Sequence, residues 1–191
     1  SRMAGIAQRH STWLHGGSFT ERADDGHFFN TSVLFGPDGS LEAIYRKIHV
    51  FGYGGEADLM SAGPELVVAN TPLGATGLAT CYDLRFPALY QRLAAAGCDL
   101  ISVPSAFTYH TGQAHWEVLL RARAIENQVY IIAPNQGGEH SSKRRTWGHS
   151  MIVDPWGEVL AQGESGPGLV IADLDLARLA EVRTAMPVGQ H

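Results

Sequence analysis

The chain of 191 residues is short of cysteine, has no surplus of basic charge and contains no long apolar run. Its two cysteines, Cys81 and Cys98, flank a predicted helix whose length keeps them apart, so a bridge between them is not expected. Reduced thiols fit a reducing, cytoplasmic compartment. Lys and Arg total 14 against 19 Asp and Glu, a formal net charge of −5, which gives nucleic-acid binding no global electrostatic support. The short basic run Lys143-Arg144-Arg145 reads as a solvated loop. No stretch approaches the roughly 20 apolar residues of a membrane span, and no signal peptide is visible at the start. His-Glu-x-x-His, Cys-x-x-Cys and His-x-His spacings are all missing, as are the common glycine-rich phosphate motifs, so neither a metal nor a cofactor is expected.

Hydrophobic residues at 45% and charged residues at 17% suit one globular domain with a sizeable core. Met3–Gln8 could be a helix, and His10–Trp13 leads into a strand after which Gly16-Gly17-Ser18 reads as a loop. Phe28–Phe35 and Leu41–Ile48 read as strands joined by the turn Gly36-Pro37-Asp38-Gly39, a hairpin. Further strands are expected at Glu65–Ala69, Thr76–Thr80, Asp99–Val103, Val129–Ala133, His149–Val153, Val159–Ala161 and Leu169–Ala172. A helix is expected after Cys81 as far as Gly97, a second over Gln113–Asn127, and a last short one to Val182 that Asp173 could cap. Gly137–Trp147 reads as a polar loop. Hairpins mixed with strand–helix–strand units predict a layered α/β domain.

Four groups could carry chemistry. Cys81 sits at a strand-to-helix junction, where free backbone N–H groups and the helix dipole would lower a thiol pKa. The competing reading is an inert buried cysteine. Lys47 closes the strand Ala-Ile-Tyr-Arg-Lys, a place where lysines are usually solvated. Glu56 follows in the glycine-rich loop that holds Tyr53. Glu117 lies on the long helix, with Arg121 at i+4 as a ready salt-bridge partner. A Cys–His dyad using His49, His110, His115 or His149 is possible, and spacing does not choose among them.

Two stretches, Tyr45-Arg46-Lys47-Ile48-His49-Val50-Phe51 and Cys81-Tyr82-Asp83-Leu84-Arg85-Phe86-Pro87, resemble the lysine and cysteine motifs of the nitrilase (carbon–nitrogen hydrolase) superfamily. Pro104-Ser105-Ala106-Phe107-Thr108, His115-Trp116-Glu117 and Gly148 through Asp154-Pro155-Trp156-Gly157 agree in order. Within the superfamily, the omega-amidase and deaminated glutathione amidase branch is the most similar. The resemblance implies an α-β-β-α sandwich, one domain over residues 1–191, assembled as a homodimer or higher homo-oligomer. It implies hydrolysis of a non-peptide carbon–nitrogen bond, a small carboxylate-bearing amide giving acid and ammonia. Cys81 would be the nucleophile of a thioester mechanism, Lys47 and the Tyr82 N–H the oxyanion donors, and Glu56 a supporting carboxylate. Phe107 and Glu117 would line the pocket of a small amide or nitrile, with no metal. The general-base glutamate of the family belongs to an early strand that precedes the residues present, so an N-terminally incomplete domain is expected. Neither Glu21 nor Glu42 stands in an equivalent context. A catalytically silent subunit or interaction protein is the alternative, and nitrile hydrolysis or acyl transfer a further one.

Overall fold

A computed structural model describes residues 1–52, 56–142 and 144–190. Tyr53 in the glycine-rich loop, and Lys143 of the basic run, lie outside the described residues. Two sheets form the middle of the fold. The smaller has the order β1-β2-β3, built from β1 (Leu14–Arg22), β2 (Phe28–Phe35) and β3 (Leu41–Arg46), all antiparallel. The larger has six strands in the order β11-β10-β7-β6-β5-β4, from β4 (Val68–Thr71), β5 (Gly74–Leu78), β6 (Leu100–Ser102), β7 (Tyr130–Ala133), β10 (Met151–Val153) and β11 (Val159–Gln162). Its middle strands β5, β6 and β7 are parallel and the flanking ones antiparallel. That is the mixture the alternation of hairpins and crossover helices requires.

Period-2 patterning decides which face each strand buries. Ile101 on β6, Val103 just past its end, and Ile131 and Ala133 on β7 face the main core with Leu89, Tyr90 and Leu93 of α3 (Pro87–Ala95) and Trp116, Leu120 and Ala124 of α4 (Tyr109–Asn127). On the small sheet, Leu14, Val33 and Phe35 pack on Ala7 of α1 (Arg2–His10). The opposite faces meet each other. Between them His15 on β1 lies with Nδ1 2.7 Å from Ser102 Oγ on β6 and Nε2 2.6 Å from Ser32 Oγ on β2. The layers are therefore α1, small sheet, large sheet, then α3 with α4. This is the expected α-β-β-α sandwich.

Several local expectations are corrected. The helix after Cys81 is not continuous. Cys81–Arg85 is a 3-10 turn, and α3 begins only at Pro87. Phe86 is held at φ −111 and ψ 92, because a residue before proline is excluded from the helical region. Gly16-Gly17-Ser18 is a bulge within β1, with Gly17 at φ 70, since one extra residue is absorbed between two paired stretches. The polar loop over Gly137–Trp147 is a hairpin of β8 (Gly137–Ser141) and β9 (Arg144–Trp147). Leu169–Ala172 belongs to no strand, and Asp175 rather than Asp173 caps α5 (Leu176–Ala185), its Oδ1 accepting from the N–H of Ala177 at 2.8 Å. The one-turn helix α2 (Glu56–Leu59) follows the glycine-rich loop.

Candidate active site

β3 delivers Lys47 one residue past its end, in a position where the Lys47 N–H donates to Asn30 O on β2 at 2.8 Å. Its side chain is 2% exposed, so the ammonium needs a counter-charge. Glu56, the first residue of α2, supplies it, with both carboxylate oxygens 3.0 Å from Lys47 Nζ. Glu56 is itself fixed. Oε1 also accepts from Asn30 Nδ2 at 2.9 Å, and Oε2 from the Phe51 N–H at 3.1 Å. The lysine that pattern alone would leave in solvent is thus a buried, clamped cation.

Cys81 arrives from the other sheet. It opens the 3-10 turn after β5 with φ 49, in the left-handed region that a residue with a side chain adopts at a cost of about 1–2 kcal/mol. Its N–H donates to Pro104 O at 3.0 Å, which ties the turn to the loop following β6. Burial pushes the Cys81 thiol pKa up, outweighing the charge of the Lys47 ammonium and the Ala106 N–H, both of which favour thiolate. The expectation of a lowered pKa is corrected accordingly. The start of a 3-10 turn gives little dipole, and the site is drier than a helix terminus in solvent.

Tyr82 is the second residue of the turn, where a 3-10 helix leaves the N–H without an intrahelical acceptor. Its ring packs against Phe51 at 4.8 Å and Phe86 at 5.2 Å. Phe107 is core, 4% exposed, and stacks at 4.9 Å on Trp116 under the Arg85 guanidinium. The residue before it, Ala106, is the one whose backbone reaches the sulfur. Glu117 is not brought to this group. It lies on the solvent face of α4, 3.5 Å from Arg121 one turn on. Three of the four histidines offered as dyad partners are engaged elsewhere. His49 binds Asp83, His115 faces Arg85 at 3.3 Å, and His149 stacks on Trp147. The fourth, His110, is exposed in the first turn of α4.

Asn30, Asp83 and the Ala106 N–H are site components that pattern reading missed. Asp83 stood in the cysteine motif as a visible signal. Ala106 stood in the Pro104–Thr108 motif with no signal that its backbone N–H would matter, and Asn30 gave none, because strand register brings it in.

The carbon–nitrogen hydrolase family matches residues 1–184. The chain is 44% identical over 97% of its length to deaminated glutathione amidase of Yersinia enterocolitica, covering 68% of that protein. It is 46% identical to the human deaminated glutathione amidase over 97% of its length, covering 61% of that protein. With human omega-amidase NIT2 it shares 42% identity over 98% of its length, covering 70% of that protein. The chain thus spans about two thirds of these relatives' length. The Caenorhabditis elegans NitFhit crystal structure superposes on the whole chain with a TM-score of 0.93 at 40% identity, 48% of that chain being covered. An amidase mutant from Nesterenkonia sp. AN1, with the acetamide moiety of fluoroacetamide added covalently at its active-site cysteine, superposes with a TM-score of 0.84 at 28% identity over 97% of this chain and 72% of that one. The chain belongs to the carbon–nitrogen hydrolase family.

Proposed function

We propose that the chain forms the cysteine-and-lysine half of an amidase site acting on a small carboxylate-bearing amide. One arrangement supports this reading: the buried Lys47 ammonium is clamped by Glu56, Asp83 joins the residues flanking it to the turn that opens at Cys81, and the ammonium's charge favours the Cys81 thiolate. A cation beside a cysteine in a dry site stabilises both the thiolate and an oxyanion formed one bond away. The Cys81 sulfur attacks the amide carbon, and the carbonyl oxygen becomes an oxyanion facing Lys47 Nζ and the Tyr82 N–H. Collapse breaks the carbon–nitrogen bond. The departing nitrogen leaves as ammonia carrying the thiol proton, and a thioester remains. Water then adds to the thioester carbon, and carboxylic acid and free thiol are restored.

Because burial holds the thiol protonated, its proton needs an acceptor. Glu21 is held in an ion pair with Arg46 and Glu56 in one with Lys47, and Glu42 lies exposed beside Ser40, so none of the three stands as its ready acceptor. This same fact favours a second reading, a catalytically silent member of the family that acts as a subunit. Ammonia release from short omega-amides and deaminated glutathione separates the two. Cys81→Ala in protein expressed from the complete reading frame should abolish release. Wild-type release that survives this substitution overturns the amidase reading, and a wild type that releases none supports the silent one.

A further inference from the structure

The buried carboxylate of Asp83 is bonded to residues on both sides of Lys47 and to the residue before Cys81. Asp83 is fully buried. Its Oδ2 accepts from Tyr45 Oη at 2.7 Å and from the Thr80 N–H at 2.8 Å. Its Oδ1 accepts from the His49 N–H at 3.0 Å and lies 2.8 Å from His49 Nδ1. Tyr45 and His49 bracket Lys47 at two residues' distance on either side. Thr80 precedes Cys81, and Asp83 itself closes the turn after it. Four donors fill the acceptor capacity of one carboxylate. Charge-assisted bonds of this kind are shorter and stronger than neutral ones. His49 is held further by stacking on Phe86 at 3.7 Å, nearly parallel. Tyr45 Oη also accepts from the Ile48 N–H at 3.2 Å. The two segments come from different sheets, and the backbone of Cys81 sits in a conformation it would not choose alone.

We propose that Asp83 is a positioning residue: it fixes the separation of the Lys47 ammonium and the Cys81 sulfur by tying the end of β3 to the 3-10 turn. The proposal deepens the amidase reading and rests on it for its catalytic consequence, whereas its geometric content stands without turnover. Misplacing a catalytic group by about 1 Å can cost roughly 100-fold in rate, so a tie of this kind decides how well the two groups act together.

Asp83→Asn mixes two effects, because the carboxylate charge also opposes the Cys81 thiolate, and a buried change of this sort can unfold the chain. Tyr45→Phe is cleaner. It removes the Oδ2 tie, keeps the ring and alters no charge. The primary readout is the pH profile of Cys81 alkylation by iodoacetamide, followed by peptide mass spectrometry. Lys47→Met gives the full upward displacement of the midpoint when the ammonium is gone. Tyr45→Phe should displace it upward by part of that amount, and His49→Ala, which removes the Nδ1 contact to Oδ1 and leaves the backbone N–H bond, likewise. With an omega-amide substrate, kcat should fall about 10-fold while KM holds. A profile that coincides with wild type in a folded Tyr45→Phe protein overturns the proposal, even if its thermal midpoint drops, because that drop alone reports a structural role. A displaced profile in a protein whose Cys81→Ala variant still releases ammonia keeps the tie and removes the catalytic reading.

Discussion

The two cysteines differ in exposure and in the balance of charges that reach them, for Cys98 has Arg183 as well as Asp99 near it. Cys98 is fully buried beneath α3, and burial, seconded by Asp99, pushes its pKa up to about 12. Cys81 is buried too, but it is partly open at its turn and faces an ammonium and a backbone donor. Iodoacetamide should therefore modify Cys81 at least about 10-fold faster than Cys98 at pH 8, since alkylation tracks thiolate fraction and access. Equal rates in peptide mapping would show that Lys47 has no grip on the sulfur. Glu56 makes the complementary case. Replacing it by Gln leaves the Lys47 charge, 2% exposed, without its partner, a loss in the range of about 3–5 kcal/mol. A denaturant midpoint lowered to that extent is the expected result, and Lys47→Met in the same background should recover part of it. At this scale the sequence was informative about Cys81, Lys47 and Glu56, which lie in recognisable local strings. It was silent on Asn30, whose amide reaches Glu56 across strand register. For Glu117 the i+4 spacing correctly gave Arg121 as its partner, and it is the pocket role implied by the resemblance that the structure does not support.

Elements were legible where a periodic pattern and a turn signal coincided, as in the hairpin of β2 and β3. There Gly39 takes φ 82 and Asp38 Oδ1 accepts from the Ser40 N–H at 2.9 Å. They were misread where only one of the two was present. The residues of β8 and β9 are polar and mostly exposed, so nothing periodic marks them. What holds that hairpin is its seat on the loop before α4, with the Trp147 N–H donating to Phe107 O at 3.0 Å. Leu169–Ala172 has the opposite character. Its alternation is real, Leu169 and Ile171 being 90% and 78% exposed while Val170 and Ala172 turn inward, but no neighbouring strand pairs with it among the described residues. The packing of β9 on α4 yields a sharp test. Gly112 lies so close under Trp147 that a Cβ there would fall 2.2 Å from Trp147 Cβ, an atom that cannot swing away. Gly112→Ala gains helix propensity of about 1 kcal/mol but must push the hairpin off the helix. A net destabilisation of about 1–3 kcal/mol is expected, and thermal unfolding that is unchanged or raised would contradict this packing.

Taken whole, the described residues form three hydrophobic clusters, the third being Leu100 and Tyr130 packed on Leu179 of α5, and a polar seam runs between the two sheets. Ala7, Val33 and Phe35 form the small cluster under α1, and the large one lies under α3 and α4. Between them His15 is half-buried, with Ser32 and Ser102 on its two ring nitrogens. Burial lowers its pKa from 6.5 to about 4. The charged form is therefore disfavoured in the folded state. Its contribution is complete above pH 6.5 and drains away as pH falls toward 4, amounting to up to about 3 kcal/mol. Urea midpoints measured from pH 7 to pH 4 should decline along this limb in the wild type and more gently in His15→Gln. A parallel decline in both would place the acid sensitivity elsewhere. The layered fold class was readable from the order of elements. The seam was not, because a lone histidine in a glycine-rich strand carries no signal of what stands across from it. Such a seam makes the sandwich mechanically divisible: near pH 5 the amides of β1, β2 and β3 should exchange with deuterium together, as one cooperative leaf, while those of β5, β6 and β7 stay protected.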